Sequence, residues 1–188
     1  MPEIFGALSL LILAAMVAVR IQLLRRRGIR AVHFGNLDKT DFLIPPFVLF
    51  YFYMIFANAF DLPSVNRQVF FDSAAIGWLG VVLCAVGIGM MAWSLVSFAD
   101  SFRVGIDAEN PDRLITTGAF SVSRNPIYLA FMGVLAGQFL AFPNWIVLVY
   151  ILAGDWLINR QILREEAFLQ EYYGEEYAAY CRKVRRFI

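Results

Sequence analysis

Long apolar segments alternate with shorter polar stretches along this chain. The five apolar segments are 4–24, 42–60, 73–98, 126–142 and 144–159. A bilayer span needs about 20 apolar residues, and most of these segments come close to that length. Segment 126–142 would rise only about 25 Å as a helix, which is short for a full span. The pattern predicts an all-α polytopic membrane protein with about five transmembrane helices.

Arginines, prolines and glycines refine the first three predicted helices. The arginines at 25–27 follow the first apolar segment, whereas a secretory signal carries its positive charge before the segment. We therefore expect a retained helix. Pro45 and Pro46 should start or kink the second helix. Four glycines in the third helix should allow a close approach to another helix: Gly77, Gly80, Gly87 and Gly89.

The last two apolar segments are separated only by Pro143. A tight helical hairpin is expected there, in which the chain enters the membrane from the cytosolic face and returns to the same face. The tail, 160–188, is polar and should be helical, with a break at Gly174 and Glu175.

Composition and charge agree with a membrane protein. The chain is 60% hydrophobic and 16% charged, whereas soluble domains are roughly 45–50% apolar and about 25% charged. A net charge of +1 argues against a nucleic-acid-binding protein, and the apolar balance excludes disorder and coiled coils. Of the 16 Lys and Arg residues, only Arg67 lies in a predicted outer loop. This asymmetry predicts an N-terminus outside and a C-terminus in the cytosol.

One domain, 1–188, accommodates these elements. Three N-terminal helices occupy 1–98, and a polar loop, the hairpin and the tail occupy 99–188. Too few residues remain outside the apolar segments for a separate soluble domain of ordinary size.

Cysteine and histidine usage limits the possible chemistry. Cys84 lies in an apolar segment and Cys181 in the basic tail, so neither a disulfide framework nor a metal site is expected. The single histidine, His33, lies in a basic loop and is expected to have a surface role. Acid–base chemistry by histidine is therefore not expected.

The polar stretch before the hairpin contains the first candidate site residues. Gly118 would permit a tight turn in the small-residue segment 114–120. Pro126 suits the first turn of a helix, with Asn125 as its N-cap. Arg124 would then stand at a helix N-terminus, where a carboxylate or phosphate binds favourably. The alternative is that Arg124 only reaches lipid headgroups.

Acidic residues mark the second candidate region. Glu165 and Glu166 are adjacent, which is also typical of a solvated helix face. In one continuous helix, Asp155, Asn159, Ile162 and Glu166 would share a stripe running from membrane depth to the cytosolic surface. A carboxylate at membrane depth is costly unless it faces a cavity or a partner. Such a stripe suits a cationic ligand or an amine, and the alternative is an Asp155 that pairs with a neighbouring helix.

Two blocks of the chain resemble a known superfamily. Segments 114–128 (LITTGAFSVSRNPIY) and 164–187 (REEAFLQEYYGEEYAAYCRKVRRF) are similar to the C-terminal blocks of integral membrane methyltransferases. This superfamily comprises the isoprenylcysteine carboxyl methyltransferases and the bacterial phospholipid methyltransferases. The resemblance implies transfer of a methyl group from S-adenosylmethionine to a lipid-like or lipophilic acceptor. The acceptor would be an isoprenylcysteine carboxylate or a phospholipid amine that enters from the bilayer, with no metal and no nucleic acid involved.

The resemblance also implies site residues in a cytosol-facing pocket formed by the loop, the hairpin and the tail. We expect the cofactor to contact Leu114, Ile115, Gly118, Arg124, Asn125, Pro126, Tyr128, Glu165 and Glu166. Arg124, Tyr128 and Asp155 are the candidate catalytic residues. By hypothesis, Arg124 and the hairpin N-terminus bind the cofactor's carboxylate, and Glu165 or Glu166 binds its ammonium group. Tyr128 would hydrogen-bond in the pocket or form its wall, and Asp155 would bind or deprotonate an amine acceptor.

The chain departs from the superfamily pattern at several positions. Asn125 and Asp112 stand where histidine is frequent, Phe120 where tyrosine is frequent, and 184–187 reads VRRF in place of VPRF. The Asn125 variant is similar to bacterial members, which implies a bacterial inner membrane protein. Two other functions stay open: an NADPH-dependent membrane reductase of the sterol-reductase type, whose C-terminal region has a similar pattern, and a membrane protein without enzymatic activity.

Overall fold

The computed structural model describes residues 1–28, 44–63, 69–98 and 113–188. These residues form an all-α fold, as predicted. Its helices are α1 (Pro2–Arg26), α2 (Ile44–Ala59), α3 (Ala74–Phe98), α4 (Pro126–Ala141), α5 (Trp145–Tyr173) and α6 (Glu175–Lys183), with one 3-10 turn at Gly118–Ser121. The expectations for His33, Arg67 and Asp112 lie outside the described residues.

Three of the helices have the length and apolar character of membrane spans. In their most apolar windows, α1, α3 and α5 reach mean hydropathies of 2.4, 2.2 and 1.4. Helices α2 and α4 are apolar but only 16 residues long. Large apolar side chains such as Leu79, Val82 and Val86 are exposed along α3, which is the surface expected to face lipid. All five predicted apolar helices are therefore present, and three of them are long enough to cross a bilayer.

Small residues allow α3 and α4 to pack backbone to backbone. A Cβ atom on Gly80 would clash with the carbonyl oxygen of Gly137, and one on Gly87 would lie 2.9 Å from the carbonyl oxygen of Ala130. Gly77 instead packs against the ring of Pro2 in α1, whose Cγ would lie 2.8 Å from a Cβ at this position. The predicted close approach is confirmed for these α3 glycines, whereas a Cβ on Gly89 would meet no atom of the described residues within 4 Å. This contact keeps α4 next to α3.

A buried polar cluster joins α1, α2 and α4 within the apolar region. The Tyr51 hydroxyl donates to Gln138 Oε1 at 2.8 Å. Gln138 Nε2 in turn donates to the carbonyl oxygen of Gly6 at 3.1 Å and lies 3.3 Å from Ser9 Oγ. A polar side chain among apolar helices is tolerated when it is hydrogen-bonded across helices in this way. The cluster fixes the three helices relative to one another.

The last two apolar segments form the predicted hairpin, but α5 extends further than the apolar segment. Asn144 caps α5, since its Oδ1 accepts from the backbone N–H of Val147 at 3.0 Å. The helix then continues for 29 residues, a rise of about 43 Å that exceeds the hydrocarbon thickness. The first half of the polar tail is thus a continuation of α5. The predicted break occurs at Gly174, where φ is +51° and the chain turns into α6.

Helix α6 and the last residues fold back onto the start of α4. Tyr177 and Tyr180 of α6 are buried against Phe120, and the Tyr180 hydroxyl donates to the carbonyl oxygen of Phe120 at 2.6 Å. Burial raises the pKa of Tyr180 to about 12, so the hydroxyl stays protonated as a donor at neutral pH. The backbone N–H of Arg124 also donates to the carbonyl oxygen of Arg185 at 3.0 Å. The tail therefore closes over the region where the candidate residues lie.

Candidate functional site

The candidate site lies where the start of α4, the polar half of α5, and α6 with the following residues meet. The segment before α4 makes its predicted tight turn at Gly118, where φ is +64°. A Cβ on Gly118 would clash with Ser97 Oγ of α3, and the same oxygen accepts from the backbone N–H of Ala119 at 2.9 Å. Only glycine fits this conformation and this contact without strain. The turn is thereby fixed against the end of α3.

The Glu166 carboxylate is neutralised within the protein. Its Oε1 accepts from Arg124 Nη2 at 3.1 Å, and its Oε2 accepts from Arg186 Nη2 at 2.6 Å. Asn125 Nδ2 also donates to Oε1, at 3.2 Å. The Glu166 and Arg124 side chains are each only 13% exposed. One carboxylate with two guanidinium partners leaves a net positive cluster that ties α4, α5 and the tail together.

Arg124 makes most of its contacts inside this cluster. Besides Glu166, its Nη1 donates to the carbonyl oxygens of Val184 at 3.0 Å and Cys181 at 3.4 Å. Burial would lower the pKa of Arg124, but the hydrogen bond and charge of Glu166 raise the pKa above its usual value. The pKa of Arg186 is likewise raised, chiefly by its hydrogen bonds to Glu166. Both groups therefore remain cationic.

Glu165 has a different environment although it is the next residue. Its Oε1 accepts from the Tyr128 hydroxyl at 2.5 Å and from Gln161 Nε2 at 2.9 Å. Both donors are neutral, and within the described residues no cation pairs with this carboxylate. Tyr128 lies in the first turn of α4, so this hydrogen bond also joins α4 to α5. Burial raises the pKa of Glu165 despite these two hydrogen bonds, because the desolvation of its charge is not offset by a cation of the described residues.

The remaining predicted residues around α4 lie close to these pairs. Leu114 and Ile115 pack against the cluster of Phe120, Tyr177 and Tyr180. Asn125 is the N-cap residue of α4 and Pro126 its first residue, as predicted. The Asn125 side chain does not cap the helix, however. It donates to Glu166 and to the carbonyl oxygen of Arg186 at 3.3 Å, because the returning tail offers these acceptors.

Asp155 lies apart from the other candidates. The predicted stripe falls on one continuous helix, and Ile162 within it is fully buried. Asp155 itself is half-buried, and its neighbour Gly154 packs near Leu135 of α4. Asp155 precedes Glu165 along α5 by an axial rise of about 15 Å. The structure therefore brings Arg124, Tyr128, Glu165 and Glu166 together but leaves Asp155 deeper among the apolar helices.

Comparison with known proteins places these residues in a family. The sequence model described as phospholipid methyltransferase matches residues 75–176, a region that contains Arg124, Tyr128 and both glutamates. The chain belongs to this family. The match begins in α3, upstream of the two blocks that carried the resemblance in sequence, and so includes the helix against which α4 packs.

This phospholipid methyltransferase family member is also similar to two named proteins. A probable protein-S-isoprenylcysteine O-methyltransferase of Oryza sativa is 28% identical over 112 residues, covering 58% of this chain and 59% of the relative. Protein-S-isoprenylcysteine O-methyltransferase of Xenopus laevis is 26% identical over 127 residues, covering 64% of this chain and 44% of the relative. The match thus spans less than two thirds of each relative's length.

Sequence reasoning missed several residues that shape the site in this family member. Arg186 is the second cationic partner of Glu166, and Gln161 is the second donor to Glu165. Ser123 Oγ donates to the carbonyl oxygen of Arg186 at 3.1 Å and so holds the tail in place. The VRRF segment of the tail, which contains Arg186, is visible in the sequence as a departure from the superfamily pattern. The sequence does not show that Arg186 pairs with Glu166. Gln161, four residues before Glu165, carries the signal of an i,i+4 helix pair.

Proposed function

We propose that this chain transfers a methyl group from S-adenosylmethionine to a lipid-like acceptor at the cytosolic face of a membrane. The observation that carries the proposal is the Tyr128–Glu165 pair. It lies within the region matched by the phospholipid methyltransferase family and presents a carboxylate held only by neutral donors. Family membership favours methyl transfer over the reductase and the non-enzymatic alternatives.

The residues fit the cofactor's cationic end. When bound, S-adenosylmethionine supplies a sulfonium methyl group whose carbon is attacked in line by the acceptor nucleophile while S-adenosylhomocysteine leaves with the sulfur–carbon electron pair, so positioning dominates the rate. Glu165 is the better candidate for the cofactor's ammonium group, because the charge of Glu166 is already matched by Arg124 and Arg186. Tyr128 then orients Glu165 by its hydrogen bond.

For Arg124, a role in positioning the tail is favoured over direct binding of the cofactor. The hypothesis that it binds the cofactor's carboxylate stays a prediction, but its two terminal nitrogens already donate to Glu166 and to backbone carbonyl oxygens. Only its Nε is buried without a partner among the described residues. By fixing the tail over α4, Arg124 would shape the pocket wall that Leu114, Ile115 and Gly118 complete. The N-terminus of α4 at Pro126 would favour the cofactor's carboxylate through the helix dipole.

The acceptor would enter from the bilayer in a chain oriented with its N-terminus outside and its C-terminus in the cytosol. Its reactive group is proposed to be an isoprenylcysteine-like carboxylate or a phospholipid amine. Asp155 lies about 15 Å along α5 from Glu165, so it would contact an amine-bearing acceptor on its way to the site rather than the methyl group. A carboxylate acceptor needs no base. A bacterial inner membrane remains the proposed location.

A calorimetric titration tests the proposal. The detergent-purified chain is titrated with S-adenosylhomocysteine, with NADPH as the parallel probe. We expect binding of S-adenosylhomocysteine, no binding of NADPH, and then transfer of a labelled methyl group to prenylcysteines or aminophospholipids. Binding of NADPH instead would favour the reductase. A folded protein that binds neither would contradict the proposal.

A further inference from the structure

Arg20 is an arginine within the apolar helix α1, outside the region that matches the family. Its Nε and Nη2 atoms are buried and have no hydrogen-bond partner in the part of the chain that the structure describes. Buried polar groups are nearly always hydrogen-bonded, and a buried charge without a partner is strongly unfavourable. Arg20 is partly buried as a residue, but these two guanidinium nitrogens lack the acceptor that their burial requires.

The packing of α1 against α4 indicates how far along the helices Arg20 lies relative to the candidate site. Near the other end of α1, a Cβ on Gly6 would lie 3.3 Å from the Ala141 Cβ of α4, whereas Leu24 shares a buried cluster with Ala130 of α4. Helices α1 and α4 are thus antiparallel. Arg20 lies about 21 Å along α1 from Gly6, and the same rise back along α4 from Ala141 reaches its first turn.

The face of α1 that carries Arg20 points into the protein. Residues three or four apart share a helix face, and Arg20 lies four residues after Met16 and four before Leu24. Both of these side chains pack in the cluster that includes Leu95 of α3 and Ala130 of α4. The Arg20 side chain is accordingly at the cytosolic end of the interface between α1, α3 and α4, at the depth of the candidate site.

We infer that Arg20 binds an oxyanion, a phosphate or a carboxylate, at this position. The planar guanidinium fork matches the two oxygens of such groups. The N-terminus of α4, a helix of 16 residues, lies at the same depth and adds a partial positive charge. Two sources supply this chemistry at a membrane surface: the phosphate of a lipid and the carboxylate of the cofactor. The second source rests on the proposed function, and the first does not.

Substitution of Arg20 tests the inference on the purified full-length chain. Arg20→Met removes the donors and keeps much of the volume, and Arg25→Met at the exposed end of α1 is the matched control. One arm measures binding of S-adenosylhomocysteine and of its decarboxylated analogue. The other arm measures binding of short-chain phosphatidylglycerol and of the corresponding diacylglycerol, which lacks the phosphate.

We expect Arg20→Met to weaken one oxyanion-bearing probe at least tenfold and to leave its counterpart without the oxyanion unchanged, with Arg25→Met within twofold of the wild type. The probe affected identifies the source. Arg20→Lys, which keeps the charge but loses the fork, should weaken the same probe at least threefold. The ligand-free Arg20→Met protein should melt no lower than the wild type, since an unpartnered buried cation is removed.

Unchanged affinity for both oxyanion-bearing probes in Arg20→Met or Arg20→Lys would overturn the inference. Failure of Arg20→Met to fold, or a lower melting temperature with unchanged affinities, would overturn it as well, because Arg20 would then pair with an acceptor of the chain itself. Failure of the proposed function has a different signature. The wild type would not bind S-adenosylhomocysteine, and the lipid arm would decide the role of Arg20.

Discussion

Glu165 and Glu166 are chemically identical neighbours on α5, yet the fold gives them opposite environments. Glu166 pairs with two guanidinium groups, at 3.1 Å from Arg124 Nη2 and 2.6 Å from Arg186 Nη2. Glu165 accepts only from the neutral donors Tyr128 and Gln161. Successive residues on a helix point about 100° apart, so one carboxylate meets the returning tail and the other meets the first turn of α4.

The two environments suit different roles. That of Glu166 stabilises the fold, whereas that of Glu165 suits the binding of a ligand. A carboxylate that two cations neutralise contributes to stability but has little charge left for a substrate. The carboxyl group of Glu165 is oriented by neutral donors, and burial raises its pKa because it has no cationic partner among the described residues, so an ammonium or sulfonium group would supply the counter-charge that its ionised form lacks. Substitution of Glu166 should therefore reduce stability, whereas substitution of Glu165 should reduce ligand affinity.

The largest expected effect on stability comes from Glu166→Ala. It would leave the Arg124 guanidinium, which is 13% exposed, without its carboxylate, and breaking a buried ion pair costs about 3 kcal/mol. Denaturant titration in mixed micelles should detect this loss of unfolding free energy. A Glu166→Ala protein as stable as the wild type would mean that the cluster does not hold the tail.

Glu165→Gln should have the largest effect on ligand binding. The substitution keeps the size of the side chain and one acceptor oxygen for Tyr128 and Gln161 but cannot ionise to pair with the cofactor's ammonium group, so we expect S-adenosylhomocysteine to bind about tenfold more weakly, or about 1.4 kcal/mol. Calorimetry measures this affinity.

The unfolding free energy of Glu165→Gln should change by less than about 1 kcal/mol, because no ion pair is broken. The matched control is Glu166→Gln, which should show the reverse pattern. If Glu166→Gln weakened binding more than Glu165→Gln, the assignment of the two glutamates would be reversed.

Tyr128→Phe should produce a smaller effect of the same kind. It removes the 2.5 Å hydrogen bond that orients Glu165 while Gln161 still donates to the same oxygen. We expect binding of S-adenosylhomocysteine to weaken about threefold, since a remaining donor preserves part of the orientation. An affinity equal to that of the wild type would show that Tyr128 contributes only to the wall of the pocket.

Arg186→Lys should have the smallest effect. The Arg186 side chain is 41% exposed, so solvent screens the pair, and the loss of its fork should cost no more than about 0.5 kcal/mol. The melting temperature should fall slightly, and the affinity for S-adenosylhomocysteine should stay the same. A large loss of affinity would contradict the assignment of the Glu166 cluster to stability.

Local sequence was sufficient for the helices and for several details within them. Apolar segments of about bilayer length predict membrane helices, and the segment ending at Phe98 became α3 nearly residue for residue. Gly80 and Gly87 were predictable as helix contacts because small residues permit close approach. Gly89 has the same local pattern but contacts no neighbouring helix in the part of the chain that the structure describes, because packing depends on which side of the helix meets α4.

The sequence by itself determined the class of protein, its order of helices, and the segments that carry the family's motifs. These follow from short-range properties: apolar runs, turn residues such as Gly118, and helix starts such as Pro126. Only the tertiary structure decided which glutamate is neutralised, that Arg186 reaches back to Glu166, and that Nε and Nη2 of Arg20 are buried without an acceptor among the described residues. Whether a carboxylate is paired with a guanidinium group depends on distances between side chains on different helices. Adjacency along the chain does not encode those distances.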